Sequence, residues 1–116
     1  MKVFVSYSQA IKLKELGFNW VCSAWYNTDG ELCTKSPQKY PAPTLSQAQK
    51  WLREIKRLKV YIGVSPNRKY NCYIRNLLTD CSLLSVLYKK DSYNQALSEG
   101  IDQALEFTNY LFIEKN

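Results

Sequence analysis

The chain carries the same helix-start signal at three places, and these places divide it into segments. Each is a Ser or Thr followed three residues later by Gln and then by Ala: Ser6–Ala10, Thr44–Ala48 and Ser92–Ala96. This is the capping-box pattern, in which the hydroxyl and the Gln side chain each accept a hydrogen bond from a free backbone N–H of the first turn. The unequal spacing of the starts argues against a repeat, so the sequence predicts three separate helices.

Apolar stripes give these helices their expected extents. The first is expected from about Tyr7 to Leu16, ending at Gly17, which suits the left-handed position after a helix. The second and third show apolar residues at helical spacing, and each stripe is expected to be buried. The residues expected to be buried are Ala48, Trp51, Leu52, Ile55, Leu58, Ile101, Leu105 and Phe112. Gly100 inside the third helix costs about 1 kcal/mol relative to Ala, so it predicts close packing at that point.

Between the helices the apolar period changes to two, which is typical of strands. Trp20–Asn27 and Glu31–Lys35 flank Asp29-Gly30 and predict a hairpin, whereas Ser36–Pro43 contains two prolines and predicts a loop. Three more strands are expected at Val60–Val64, Tyr70–Leu77 and Ser82–Tyr88. The order α-ββ-α-βββ-α, with strands joined by hairpins, predicts an α+β fold with an antiparallel sheet and three packed helices.

Length and composition indicate one globular domain spanning residues 1–116. The hydrophobic fraction of 46% is too high for a disordered chain. No apolar run approaches the roughly 20 residues of a membrane-spanning helix, and residues 1–6 turn polar too early for a secretory signal. We therefore expect a cytoplasmic protein without a membrane partner.

The absence of histidine removes the commonest catalytic chemistry. It excludes Ser-His-Asp and Cys-His triads, HExxH zinc sites and general acid–base catalysis by histidine. No GxGxxG or GxxxxGK[ST] motif is present, so we expect no nucleotide cofactor of the common kinds. The best carboxylate pair, Glu99 with Asp102 or Glu106, has the spacing of an ordinary solvated helix face. An enzyme is thus the least favoured class.

The four cysteines have two interpretations. Cys22, Cys33, Cys72 and Cys81 lie in apolar neighbourhoods, which favours reduced thiols that act as small hydrophobic residues. A zinc site would require close cysteine pairs, usually two to four residues apart, and these cysteines lie farther apart. We expect four free thiols and no bound metal.

Positive charge is concentrated in the middle of the chain. Residues 1–78 carry 13 basic and 4 acidic side chains, and the segment Lys50–Arg75 alone carries eight basic residues against Glu54. One interpretation is a phosphate-facing surface with interleaved tyrosines for stacking; the other is the solvated face of an amphipathic helix followed by a basic turn. The candidate phosphate contacts are Lys50, Arg53, Lys56, Arg57, Arg68, Lys69 and Arg75.

Aromatic residues suggest a second surface. Trp20, Trp25 and Tyr26 lie on the first predicted strand, whose two faces are both apolar. Either both faces are covered within the fold or one of them meets a protein partner, including a second copy that forms a homodimer through the hairpin. Strands also favour aromatic residues without any such role.

Three stretches, Lys12–Asn19, Ala42–Glu54 and Ser92–Leu105, give the chain a likeness to other proteins. The chain resembles a group of small uncharacterised proteins that recur in gut-bacterial genomes and in their phages and mobile elements. The resemblance implies an accessory protein of a phage or mobile element, and it carries no activity and no functional residue. We therefore expect a non-enzymatic binding or interaction protein, with nucleic-acid binding or an aromatic small-ligand or nucleotide pocket as the alternatives.

Overall fold

The computed structural model describes residues 3–66, 68–78, 81–90 and 92–114. For residues 81–90 and 109–114 it describes the backbone but not the side chains. Its contacts form two compact units, Met1–Ala48 and Gln49–Asn116. The helices are α1 (Tyr7–Glu15), α2 (Leu45–Ile55) and α3 (Tyr93–Glu114). The strands are β1 (Trp25–Tyr26), β2 (Leu32–Cys33), β3 (Tyr40–Pro41), β4 (Leu58–Val64), β5 (Tyr70–Asn76) and β6 (Cys81–Lys90).

The predicted α+β class, the three helices and the antiparallel pairing are confirmed. Two details differ from the expectation. The strands divide between two three-stranded sheets, β2-β1-β3 and β4-β5-β6. The additional strand, β3, lies inside the segment Ser36–Pro43 that the prolines mark as a loop, because Tyr40 and Pro41 pair with Tyr26 and Trp25. A single domain spanning 1–116 stays a prediction.

Helix α1 begins and ends as its sequence predicts. Ser6 Oγ accepts from the Gln9 N–H at 3.2 Å, and Gln9 Oε1 accepts from the Ser6 N–H at 2.8 Å. At the other end Gly17 has φ of 96°. The Gly17 N–H then donates to the Lys14 carbonyl, and the Phe18 N–H donates to the Leu13 carbonyl. These two bonds form a complete Schellman motif, which satisfies carbonyls that the helix end would otherwise leave free.

The predicted hairpin of the first unit is confirmed, but both strands are shorter than the predicted Trp20–Asn27 and Glu31–Lys35. Only Trp25 and Tyr26 pair with β2, and Asn27 Oδ1 closes the turn by accepting from the backbone N–H groups of Asp29 and Glu31. Residues 20–24 belong to no described strand, although the Ala24 carbonyl accepts a hydrogen bond from the Ala42 N–H next to β3. Their burial still alternates: Cys22 and Ala24 are buried while Val21 and Ser23 are exposed. The period of two therefore indicates the buried side correctly where the ladder itself is missing.

Helix α2 begins with a second complete capping box, between Thr44 and Gln47. It ends three residues earlier than its apolar stripe predicts, because Arg57 takes a left-handed backbone conformation with φ of 59°. Two expectations change as a result. Leu58 is buried as the first residue of β4, and Ile55 is wrongly predicted to be core, since it is 53% exposed at the end of the helix.

In the second unit, α3 packs on one face of the β4-β5-β6 sheet. At the start of α3 the Gln95 N–H donates to Ser92 Oγ, which is one of the two hydrogen bonds of a capping box. Strand residues of even number, such as Val60 and Cys72, face Gly100 of α3. The buried residues of this core include Trp51, Leu52, Leu58, Val60, Cys72, Ile74, Leu97, Ile101 and Leu105. Phe112 is also predicted to be buried, but its side chain is not among those described. None of the helices described combines the length and apolar character of a membrane span.

Candidate nucleic-acid interface

The sheet face opposite α3 brings together two basic and two aromatic side chains. Because side chains alternate along a strand, Lys59 and Tyr61 of β4 share a face. The antiparallel register places Arg75 directly opposite Lys59, and Tyr73 directly opposite Tyr61. We call Lys59, Tyr61, Tyr73 and Arg75 the basic-aromatic face.

The two tyrosines form an ordered stack. Their ring centroids lie 5.1 Å apart with an angle of 19° between the ring planes. Lys59 Nζ lies 5.3 Å from the centroid of the Tyr61 ring, in a cation–π arrangement. The Tyr73 ring lies over Gly63, where a Cβ would come within 3.0 Å of Tyr73 Cε2. Gly63 therefore leaves the space in which the Tyr73 ring is held.

This face is open to solvent in the second unit. Lys59 and Arg75 are exposed, Tyr61 is 38% exposed and Tyr73 is half-buried. Side chains directly opposite each other on antiparallel strands have Cβ atoms about 4.5–5.5 Å apart. The side chains of Lys59 and Arg75 therefore start side by side on this face.

The helical part of the predicted phosphate-contact set lies elsewhere. Lys50 and Arg53 are exposed on α2, and both approach the same carboxylate, Glu54 Oε2, at 3.9 and 3.7 Å. Lys56 Nζ lies 5.6 Å from the centroid of the Trp51 ring, and partial burial lowers the pKa of its ammonium group. Lys50 and Arg53 thus share one carboxylate on the exposed side of α2, and Lys56 covers part of the Trp51 ring.

The remaining predicted contacts lie at opposite ends of the β4–β5 hairpin. Arg57 adjoins the start of β4, where its carbonyl accepts a hydrogen bond from Leu77. Arg68 and Lys69 lie in the hairpin turn, which Ser65 closes by bonding to both backbone groups of Lys69. At about 3.4 Å per residue, the turn is roughly 17 Å or more from Lys59 along the strand. The seven predicted residues are thus spread over the second unit, and Arg75 alone among them belongs to the basic-aromatic face.

Lys59 lies in the basic segment Lys50–Arg75, but neither Lys59 nor the tyrosines Tyr61 and Tyr73 are among the predicted phosphate contacts. The signal that would have found them is the alternation itself. Lys59-x-Tyr61 and Tyr73-x-Arg75 are mirror-image patterns on two strands that a hairpin joins. In an antiparallel hairpin such patterns meet residue by residue.

The residues predicted to form a protein interface, Trp20, Trp25 and Tyr26, lie in the first unit. Tyr26 makes its contacts within that unit. The Tyr26 hydroxyl donates to the Val5 carbonyl at 2.6 Å, its ring packs on Tyr7, and burial raises its pKa. Trp25 is half-buried in β1, which is the central strand of its sheet and so offers no free edge. Trp20 is half-buried beside Phe18 and next to the exposed Val21.

The thiols and carboxylates singled out in the sequence form no reactive cluster in the part of the chain that is described. Cys22, Cys33 and Cys72 are free thiols, and the side chain of Cys81 lies outside those described. Burial raises the pKa of Cys22, and burial together with the nearby Glu99 carboxylate raises the pKa of Cys72 to about 11. Among the described side chains, no three Cys, Asp or Glu residues come together in a way that would hold a metal ion.

No protein-family model, curated protein or solved structure matches the chain.

Proposed function

We propose that this chain is a binding protein that engages nucleic acid through the basic-aromatic face. The observation that carries the proposal is the cross-strand register, which places Lys59 beside Arg75 and Tyr61 beside Tyr73 on one exposed sheet face. Cations that neutralise phosphates, together with aromatic rings that stack on bases, are the two components of single-strand and sequence-tolerant nucleic-acid binding.

The charge distribution supports the same proposal. The chain has a formal net charge of +6, and Arg57, Arg68 and Lys69 lie at the two ends of the β4–β5 hairpin that carries this face. A positive field of this kind attracts a polyanion over distances of about a Debye length, roughly 8–10 Å at physiological salt. Arg57, Arg68 and Lys69 then supply secondary contacts along the backbone of a bound strand.

A protein partner is the second candidate. The observation in its favour is Val21, which is 91% exposed next to the half-buried Trp20. A homodimer through this surface predicts a doubled mass in light scattering at micromolar concentration, reduced to a monomer by Val21→Asp. For either partner class, the proposed context is an accessory role in a phage or mobile element, which the genes flanking this one test directly.

The nucleic-acid proposal is tested by salt-dependent titration of two charge-matched double variants. Each removes two exposed basic residues from the second unit: Lys59→Ala/Arg75→Ala from the basic-aromatic face, and Lys50→Ala/Arg53→Ala from α2. Between about 50 and 200 mM salt, log affinity falls with log salt by about 0.7 per phosphate neutralised on a single strand and about 0.9 on duplex DNA.

We expect the face variant to lose roughly tenfold or more in affinity and to flatten the slope by about 1.4 on a single strand, the value for two lost phosphate contacts. The helix variant is expected to keep most of the affinity and nearly the same slope. Equal losses in the two variants would show that binding depends on net charge alone. No retention of single- or double-stranded DNA or RNA by the unmodified chain at low salt would contradict the proposal.

A further inference from the structure

We infer that the basic-aromatic face selects single-stranded nucleic acid over duplex, because Tyr61 and Tyr73 provide a stack that an unpaired base extends. This inference rests on the proposed function and specifies the ligand of the same site.

The tyrosine stack is held in place by the protein itself. The rings lie nearly parallel at 5.1 Å, and Tyr73 fills the space over Gly63. A side chain that is already ordered loses little conformational entropy when a ligand contacts it. The pair therefore presents a preformed aromatic surface on two adjacent strands of the β4-β5-β6 sheet.

An unpaired base would stack on the outer side of the Tyr61 ring. Tyr73 occupies one face of this ring, and the Lys59 ammonium group lies 5.3 Å from its centroid. A base that stacks on Tyr61 takes the place of the ammonium group, which a long flexible side chain allows. The displaced Lys59 Nζ then reaches a phosphate of the same nucleic-acid strand. Lys59 thereby exchanges a cation–π contact for an ion pair.

A duplex lacks accessible base faces. Its phosphates can pair with Lys59 and Arg75, but its bases are already stacked and paired, so their faces cannot reach the tyrosine rings. Removal of one aromatic residue that stacks on a base weakens single-strand binding by roughly fivefold to 150-fold. Discrimination of that order is therefore expected between a single strand and a duplex at the same salt concentration.

The test compares two tyrosine variants on single-stranded and duplex probes. Tyr61→Phe/Tyr73→Phe keeps both rings and removes the hydroxyls, whereas Tyr61→Leu/Tyr73→Leu keeps apolar bulk and removes the rings. The probes are an oligothymidine and an oligouridine of about a dozen nucleotides, within the site sizes of single-strand binders, and a DNA duplex of equal length. Thermal unfolding of each variant shows whether it is folded.

We expect the unmodified chain and the Phe variant to bind both single strands at least about tenfold more tightly than the duplex. The Leu variant should lose this preference while its duplex affinity and its salt slope stay unchanged. Equal or tighter duplex binding by the unmodified chain would overturn the inference, and so would a preference retained by a folded Leu variant. If the Leu variant does not fold, loss of the preference in the single Tyr61→Leu variant supports the inference and its retention overturns it.

The two proposals fail in different ways. Salt-dependent binding of duplex and single strand with equal affinity would leave the nucleic-acid function in place and remove the single-strand selectivity. Binding of neither probe at low salt would overturn both.

Discussion

Gly100 of α3 lies directly against the Cys72 thiol of β5. A Cβ at Gly100 would collide with Cys72 Sγ and would also come within 2.9 Å of Val60 Cγ1. All three residues are buried. A glycine inside a helix costs about 1 kcal/mol relative to alanine, and here it allows α3 to approach the sheet that carries the basic-aromatic face on its other side.

Gly100→Ala should therefore destabilise the protein although alanine favours the helix. Overpacking of a buried site costs about 1–3 kcal/mol, and the gain in helix propensity offsets about 1 kcal/mol of that. We expect a net loss of up to about 2 kcal/mol in the free energy of unfolding, measured by urea denaturation. The same substitution in a Cys72→Ala background should cost less, because the sulfur atom is gone. An increase in stability on Gly100→Ala would show that α3 does not approach the sheet so closely.

Trp51 and Ile55 provide a matched pair of apolar truncations on one helix. Trp51 is 1% exposed and Ile55 is 53% exposed. Trp51→Ala should cost roughly 3–5 kcal/mol of unfolding free energy, as for other buried aromatic residues. Ile55→Ala should cost less than about 1 kcal/mol, the usual range for a surface position. Similar losses for both would mean that the helix buries a different face.

The cysteines should differ in reactivity in the native state. Cys72 is fully buried and its pKa is about 11, so at pH 8 its thiol is protonated and shielded from solvent. Cys33 is only half-buried. Alkylation followed by site-resolved mass spectrometry should find Cys33 labelled first, Cys72 labelled only as the protein opens, and four free thiols after denaturation. Labelling of Cys72 as fast as Cys33, or fewer than four free thiols, would contradict this account.

The same shift predicts how stability depends on pH. The pKa of Cys72 rises from an ordinary value of 9.0 to about 11 in the folded state. Above pH 9 the unfolded chain loses this proton while the folded chain keeps it, so the free energy of unfolding should decrease with rising pH through the interval between about 9 and 11. Below pH 9 this group should have no effect. Comparison with Cys72→Ala isolates its contribution, and an identical pH profile in the variant would show that the thiol is not buried.

The features that the sequence predicted are those encoded within a few consecutive residues. The capping boxes of α1 and α2 and the Schellman motif at Gly17 each need one helix turn to form, and all were predictable. The end of α2 was not, because Arg57 adopts a left-handed conformation without the glycine that usually marks it. An arginine at that position gives no local signal, so the apolar stripe led to Ile55 and Leu58 being assigned to one helix face.

The candidate site depended on pairing between strands, which is less visible in the sequence. The turn at Ser65–Lys69 sets the register that brings Lys59 opposite Arg75 and Tyr61 opposite Tyr73. A shift of β5 by one residue would move Tyr73 and Arg75 to the face that α3 covers and would separate them from Lys59 and Tyr61. The number of basic residues along the chain therefore indicates the segment that contains this face but cannot distinguish Lys59 and Arg75 from Lys50 and Arg53.

The most direct test of the basic-aromatic face is a map of amide chemical shifts during titration with a short single strand. Addition of oligothymidine to the isotope-labelled protein at low salt should shift the backbone amides of Lys59, Tyr61, Tyr73 and Arg75 most strongly, and these shifts should reverse as salt is added. Smaller changes are expected at Arg68 and Lys69. Shifts confined to the exposed side of α2 or to the first unit, or no shifts at all, would contradict the assignment of nucleic-acid binding to this face.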